Sequence, residues 1–250
     1  QLGAESRAAI VARAGGDARG ELSLLEAAAA DTSDGREISL EAVQAAAGGR
    51  AVVYNRSGDA HYDTISAFIK SLRGSDPDAA IYYLAVMLKG GEDPKFIARR
   101  LVVAASEDVG NADPRALEVA VAAGRAVEFV GLPEARISLA QATTYIALAP
   151  KSNASYRAIG AALDRGEREG ARRPPLALRD SSVANARGLG NGEGYQYPHD
   201  HEDAVLDESL LPEGMEGTVF YTPTDRGPEG ELSARLRDLR SRLRDDDQPF

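Results

Sequence analysis

The chain has 250 residues, 43% of them hydrophobic and 27% charged, with a formal net charge of -10 at pH 7. That is long enough to bury a core in one large domain or two smaller ones, and the excess of acid excludes a protein that grips nucleic acid with its whole surface. The absence of cysteine excludes disulfides and thiolate metal sites and fits a reducing, cytoplasmic setting, while no apolar run approaches the roughly 20 residues a membrane span requires.

The chain opens on Gln1-Leu2-Gly3, without Met and without the basic and apolar regions of a signal peptide. Helical pattern follows almost at once, which leads to the expectation of a piece of a longer protein. Residues Glu5 to Ala14 form a first helix stopped at Gly15-Gly16. Asp17 caps a second helix running to about Ala30, with Leu22, Leu24, Leu25 and the alanines from Ala27 as its buried part. Asp31 to Gly35 is a turn, Ile38 suits a short strand, and Ser39 with Glu41 opens a short third helix ending at Gly48-Gly49. Residues 1–50 therefore read as a small helical unit, and 51–58 as a linker.

Residues 59–170 read as a dense helical region. Its first helix passes through Ile65, Phe68, Ile69 and Leu72 to Gly74. Three Asp-Pro pairs then punctuate the chain, at Asp76-Pro77, Asp93-Pro94 and Asp113-Pro114. Each sets a capping carboxylate before a proline whose missing N–H costs nothing at a first helical position. The apolar positions that follow are Ala80, Ile81, Leu84, Met87 and Leu88 in the first helix; Phe96, Ile97, Leu101 and Val102 in the second; and Leu117, Val119, Ala120, Val121 and Val127 in the third. Gly90-Gly91 and Gly110 end the first two. A further helix spans Pro133 to Ala149 through Ile137, Ala140, Ala142, Tyr145 and Ile146. Ser152 caps the next, to about Gly166. The abundance of Ala and Gly predicts closely packed antiparallel helices.

Residues 171–228 change character to an extended arm rich in Tyr, Pro and Gly, expected to pack across the helical body. Residues 229–250 are a last helix and tail, with Leu232, Leu236, Leu239 and Leu243 as an apolar seam. The fold class predicted is all-α: a small helical unit, a multi-helix antiparallel array, an extended arm and a final helix.

Few residues suggest chemistry. There is no phosphate-binding G-x-x-x-x-G-K-[ST] and no G-x-G-x-x-G behind a strand. His199 to Asp203 gathers ligand-type residues, but no H-E-x-x-H accompanies them, and an acidic surface turn is the better reading, so no metal site is expected. With histidine only at 61, 199 and 201 and no G-x-S-x-G, the sequence does not point to a serine hydrolase. Between Arg99 and Arg115 lie Glu107, Asp108, Asn111 and Asp113, a polar density unusual for an inter-helix turn. Asp108, Asn111 and Asp113 are expected to fix the turn, with Arg99, Arg100 and Arg115 flanking it as a junction or subunit interface. Lys70, Arg73 and Lys95, with Arg99 and Arg100, are the alternative: contacts of a helical module for DNA ends or junctions.

Five motifs carry a resemblance. They are G-G-D-A-R-G-E-L-S-L-L-E from Gly15; H-Y-D-T-I-S-A-F-I-K-S-L-R-G-S-D-P-D-A-A-I-Y-Y-L from His61; A-S-E-D-V-G-N-A-D-P-R-A from Ala105 with A-P-K-S-N-A from Ala149; and Y-Q-Y-P-H-D from Tyr195. The first resembles the lid of clamp-loader-like AAA+ ATPases. Together they resemble the replication-associated recombination protein A family, which includes the Werner-helicase-interacting ATPases, over nearly the whole chain. The resemblance implies a longer ATPase using ATP and Mg2+, of which this chain is a lid remnant and an oligomerisation domain. It implies a homotetramer acting on DNA in fork maintenance, recombination and repair, with replication or repair proteins as further partners. A cytoplasmic, nucleoid-associated protein without membrane attachment is expected. Arg19 matches the family's sensor arginine, reaching the terminal phosphate of the nucleotide. No catalytic residue is expected within this stretch, and the chain alone is expected not to hydrolyse ATP.

Overall fold

A computed structural model describes residues 2–14, 18–30, 32, 36–46, 59–182, 186 and 188–245. The expected stop at Gly15-Gly16, the Asp17 cap, the end of the third helix at Gly48-Gly49 and the linker 51–58 lie outside these residues. Among the described residues there is no β-strand, only one isolated parallel bridge between Leu2 and Ile38. None of their helices is long and apolar enough to cross a membrane. The all-α class follows.

The N-terminal helices are α1 (Ala4–Ala14), α2 (Ala18–Ala30) and α3 (Leu40–Ala46). Their core is Ile10, Ala28, Ile38 and Val43, one residue from each helix and one from the bridge. The bridge is reinforced by the Ser6 hydroxyl, which donates to the Ile38 carbonyl at 2.8 Å. Ser39 starts α3 as expected, its Oγ accepting from Ala42 N at 3.1 Å. Leu22, expected inside, is exposed, while Ala28, within the alanine run expected to be buried, is buried.

The chain divides into two compact units, residues 1–105 with 116–149, and residues 106–115 with 150–250. The first unit holds α4 (Asp59–Arg73), α5 (Pro77–Lys89), α6 (Pro94–Ala104), nearly all of α7 (Arg115–Val130) and α8 (Ala135–Leu148). The capping chemistry is as the Asp-Pro pairs dictate: Asp76 Oδ1 accepts from Ala79 N at 2.9 Å and Asp93 Oδ1 from Lys95 N at 2.9 Å. Helix α8 contacts α4, α5 and α6. That is why it buries residues on more than one face: Ala135, Leu139, Ala142, Thr143, Ile146 and Ala147. The hydroxyl of Thr143 is satisfied inside its own helix by the Leu139 carbonyl at 2.8 Å.

On α7 and α8 the expected core is partly corrected. Helix α7 turns an alanine face inward, Ala116, Ala120, Ala123 and Val127, while Leu117, Val121 and Phe129 stay exposed. Ile137 on α8 is likewise exposed. Small side chains let the helix backbones approach, and dispersion contacts between close backbones replace those of larger side chains.

The second unit contains α9 (Ala154–Glu169), short 3-10 turns at Leu176–Leu178, Pro198–Asp200 and Glu202–Ala204, and α10 (Glu229–Asp245). The arm is more folded than an extended strand: its turns close on themselves, as where Gly192 N donates to the Leu176 carbonyl at 2.8 Å. Long-range bonds tie it down, with Arg165 Nη1 donating to Thr218 Oγ1 at 2.9 Å and Arg172 Nη1 to the Glu213 carbonyl at 2.9 Å. On α10, Ser233 is buried and Leu232 exposed, so the seam is rotated from the expected leucines; Leu243's side chain lies outside the described residues.

Candidate functional site

Helix α6 does not stop at Gly110. It widens into a π turn over Ala105–Val109 and tightens into a 3-10 turn over Gly110–Ala112. Widened turns of this kind re-aim side chains, and they recur at functional positions. Here three distant stretches meet within the second unit: S-E-D-V-G-N-A-D-P-R from Ser106, P-K-S-N from Pro150, and Y-T-P-T-D-R-G-P-E from Tyr221.

Two glycines make the meeting possible. Gly110 has φ +53°, and a Cβ there would lie 2.9 Å from the Ser152 carbonyl oxygen. Gly227 has φ +50°, and a Cβ there would meet the carbonyl oxygen of Ala112. Both positions combine a left-handed backbone with a close backbone approach, which glycine alone satisfies. The Ser152 N–H then donates to the Asp108 carbonyl at 2.8 Å.

At the centre is Glu229, the first residue of α10, whose relative exposure is 0%. Its Oε1 accepts from the Tyr221 hydroxyl at 2.8 Å. Its Oε2 accepts from the Thr224 hydroxyl at 2.6 Å and the Thr224 N–H at 3.1 Å. The Ser152 hydroxyl bonds it as well. Burial alone would raise the carboxyl's pKa, but the hydrogen bonds from Ser152, Thr224 and Tyr221 outweigh it and hold the group below its ordinary value. The N-terminal position on α10 adds a favourable dipole. The Tyr221 hydroxyl is pushed the other way, upward, by burial and by the carboxylate beside it, against a bond from Asn111.

The junction residues can now be placed. Asn111 turns its amide outward from its own turn: Nδ2 donates to Tyr221 Oη at 3.1 Å and to Ser155 Oγ at 3.5 Å. Asp113 caps the start of α7, accepting from Arg115 N at 3.1 Å. The Arg115 side chain is exposed, Glu107 is half-buried, and Asp108 is buried. Burial pushes the Lys151 ammonium below its ordinary pKa, and the Asp108 charge partly offsets this. Arg226 Nη1 donates to the Lys151 carbonyl at 2.8 Å, and Arg240 Nη2 to the Tyr221 carbonyl at 2.7 Å.

Arg99 and Arg100 fall in the first unit. Arg99 lies 3.8 Å from Asp93 and stacks over Phe96, with its guanidinium carbon 5.8 Å from the ring centre. Arg100 buries its Nε, which meets no hydrogen-bond partner among the described residues. Lys95 pairs with Glu128 at 3.4 Å. Lys70 and Arg73 are exposed on the last turn of α4. Arg19 is the second residue of α2; its side chain lies outside the described residues.

Sequence reasoning missed Tyr221, Thr224, Arg226 and Glu229, which stand more than a hundred residues from Asn111. The available signal was the helix start Gly227-Pro228-Glu229, a carboxylate placed in a first turn. The arrangement binds segments of one chain to each other. Its carboxylate exposes no oxygen to a substrate, and no cluster of three metal-ligating side chains occurs among the described residues. A groove of about 210 Å³ beside the C-terminal end of α9 is lined by Arg165, Glu169, Arg172, Met215 and Phe220. Both its arginines are already bonded to Glu169.

The segment carrying this clasp also carries the family match. Residues 74–240 match the family described as MgsA AAA+ ATPase C terminal, and residues 1–73 the one described as AAA C-terminal domain. The chain belongs to the MgsA AAA+ ATPase family. It is 42% identical over 237 residues to the replication-associated recombination protein A of Escherichia coli K12, covering 93% of this chain and 53% of that protein. It is 48% identical over 236 residues to an uncharacterised AAA domain-containing protein of Mycobacterium tuberculosis, covering 94% and 52%. A Dictyostelium discoideum ATPase, WRNIP1, is 38% identical over 171 residues, 68% of this chain and 20% of that protein. The chain thus spans about half the length of the bacterial members of the family named here. The π turn, both glycines and the Glu229 clasp all lie inside the stretch matched by the larger family segment.

Proposed function

We propose that this chain is the C-terminal half of a AAA+ ATPase that acts on DNA in replication-associated recombination and repair, and that its role there is assembly of subunits into a homotetramer. The observation that carries this reading is the succession of two AAA+ C-terminal segments, 1–73 and 74–240, in a chain that aligns with a replication-associated recombination protein over 93% of its length. The character of the candidate site supports it, since a buried, fully bonded carboxylate rigidifies a scaffold and performs no turnover. ATP and Mg2+ belong in this reading to the N-terminal core of the longer protein, with Arg19 at the start of α2 supplied to the nucleotide as a sensor. An arginine suits that role because its planar fork stabilises charge on a terminal phosphate. The clamp-loader-like action, DNA as the substrate and a cytoplasmic, nucleoid-associated location are parts of the same proposal.

Of the cations named for the alternative of DNA contact, Lys95 and Arg99 lie beside Glu128 and Asp93 in exposed pairs, and Lys70 and Arg73 are exposed. Sedimentation equilibrium of the chain at micromolar concentration tests the reading. A tetramer is the expected species, and a strict monomer overturns it. In the longer protein, Arg19→Ala is expected to lower ATP turnover at least tenfold with assembly intact; unchanged turnover removes the sensor assignment.

A further inference from the structure

The geometry points to the outer face of α9 as the surface on which a second copy of this chain docks, the two α9 helices lying antiparallel about a two-fold axis near Gly160. This rests on the assembly reading above and names the surface it uses.

Tyr156, Ile159 and Leu163 are 56%, 57% and 60% exposed. At helical spacing they form one stripe on the side of α9 opposite the buried Ala154. Large apolar side chains aligned this way on an exposed helix mark a contact surface. Gly160 stands beside the stripe and Gly166 at its far flank. A Cβ at either position would meet nothing within 4 Å. Glycine inside a helix is destabilising relative to alanine, and among the described residues nothing requires it at either position. A helix from outside, approaching closely over Gly160, supplies the requirement.

The charges select both the occupant and its direction. Arg157, Asp164 and Arg168 flank the stripe on the same side as Gly160, and Glu167 sits at its C-terminal end. Among the described residues none of these four side chains forms an ion pair or hydrogen bond with another group. In an antiparallel pair centred near Gly160, Arg157 of one copy comes beside Asp164 of the other, twice by symmetry. Tyr156 meets Leu163, and Glu167 reaches the N-terminal end of the facing helix, where a negative charge is favoured. A parallel pair about a two-fold axis along the helices would set this flank of one copy on the opposite side of the contact from that of the other, so that no Arg157–Asp164 pair forms. The face is therefore complementary to itself in one direction only, as an isologous contact requires.

The chain contains no cysteine, so single-cysteine variants report position cleanly, and Gly160→Cys and Gly166→Cys both place the new side chain in open space. Disulfide formation under mild oxidation is read on denaturing gels, with sedimentation of each variant alongside. The expected result is a covalent dimer for Gly160→Cys and none for Gly166→Cys, since antiparallel pairing separates the two 166 positions by about 12 residues, roughly 18 Å. Cross-linking of both variants, or of Gly166→Cys alone, overturns the antiparallel pair. If neither cross-links while the chain sediments as an oligomer, the surface assignment fails and the assembly reading stands; the face then belongs to a different partner. If neither cross-links and the chain is a monomer, both fail.

Discussion

The Tyr221 hydroxyl donates to Glu229 Oε1 at 2.8 Å, while the same oxygen accepts from the Asn111 amide at 3.1 Å. One phenol thereby joins the turn after α6, the end of the arm and the start of α10. The Glu229 carboxylate is the common acceptor on which the second unit closes.

Glu229→Gln replaces one acceptor oxygen by a donor. Whichever way the amide turns, it faces either the Tyr221 hydroxyl or the Thr224 N–H and hydroxyl. The expected loss of stability is about 1–3 kcal/mol, the range for a buried polar group left mispaired. Urea unfolding followed by circular dichroism measures it, and an unchanged midpoint would contradict the clasp.

The same residue makes stability depend on pH. The folded carboxyl lies below its ordinary value of 4.5, so the unfolded chain takes up the proton first as pH falls. The contribution is complete above about 4.5 and is lost as pH drops through the lower, folded value. Urea midpoints between pH 3 and pH 7 are expected to fall at the acid end in the parent chain, and less steeply in Glu229→Gln.

Tyr221→Phe keeps the ring and removes the shared hydroxyl, at an expected cost of about 1–2 kcal/mol. Asn111→Ala removes the donor on the other side. Because both act through one oxygen, the double variant is expected to cost less than the sum of the single ones. Strict additivity in a thermal-unfolding cycle would show that the two residues act independently.

Gly227→Ala sets a Cβ against the Ala112 carbonyl at a residue with φ +50°. Left-handed strain alone costs about 1–2 kcal/mol, and the displaced carbonyl adds to it. Gly160→Ala is the contrast: its Cβ meets open space and the helix gains about 0.5–1 kcal/mol of propensity. Melting temperatures should therefore move in opposite directions when the comparison is made at concentrations where the chain is monomeric.

Asp76→Ala and Asp93→Ala each remove a helix cap, and each is expected to cost about 0.5–2 kcal/mol. The Arg99 pair lost with Asp93 is exposed and adds little. Thermal unfolding that is indifferent to both substitutions would mean the caps are satisfied in another way.

Much of the helical array was legible in the chain itself. The Asp-Pro pairs announce their helices because capping and proline geometry are local: Asp76 and Asp93 bond amides two or three residues away. The buried faces of α4 and α5 follow from apolar spacing. The faces of α7 and α8 were misread at Leu117, Val121 and Ile137, because which side of an alanine-rich helix turns inward depends on its neighbours. The junction after α6 was recognisable as dense in polar groups, but its partners were not.

Sequence alone determined the all-α class, the order of the helices, the caps at Asp76, Asp93 and Asp113 and the family, all of which rest on short-range patterns or long ordered motifs. Only the tertiary structure decided what Asn111 bonds and why Gly110 and Gly227 are glycines. It also decided that Glu229, an ordinary first-turn acid by its spacing, is the buried centre of the second unit. The physical reason is separation: a hydrogen bond between residues 111 and 221 leaves no periodicity along the chain, and a backbone approach that forbids a Cβ exists only once both backbones are in place.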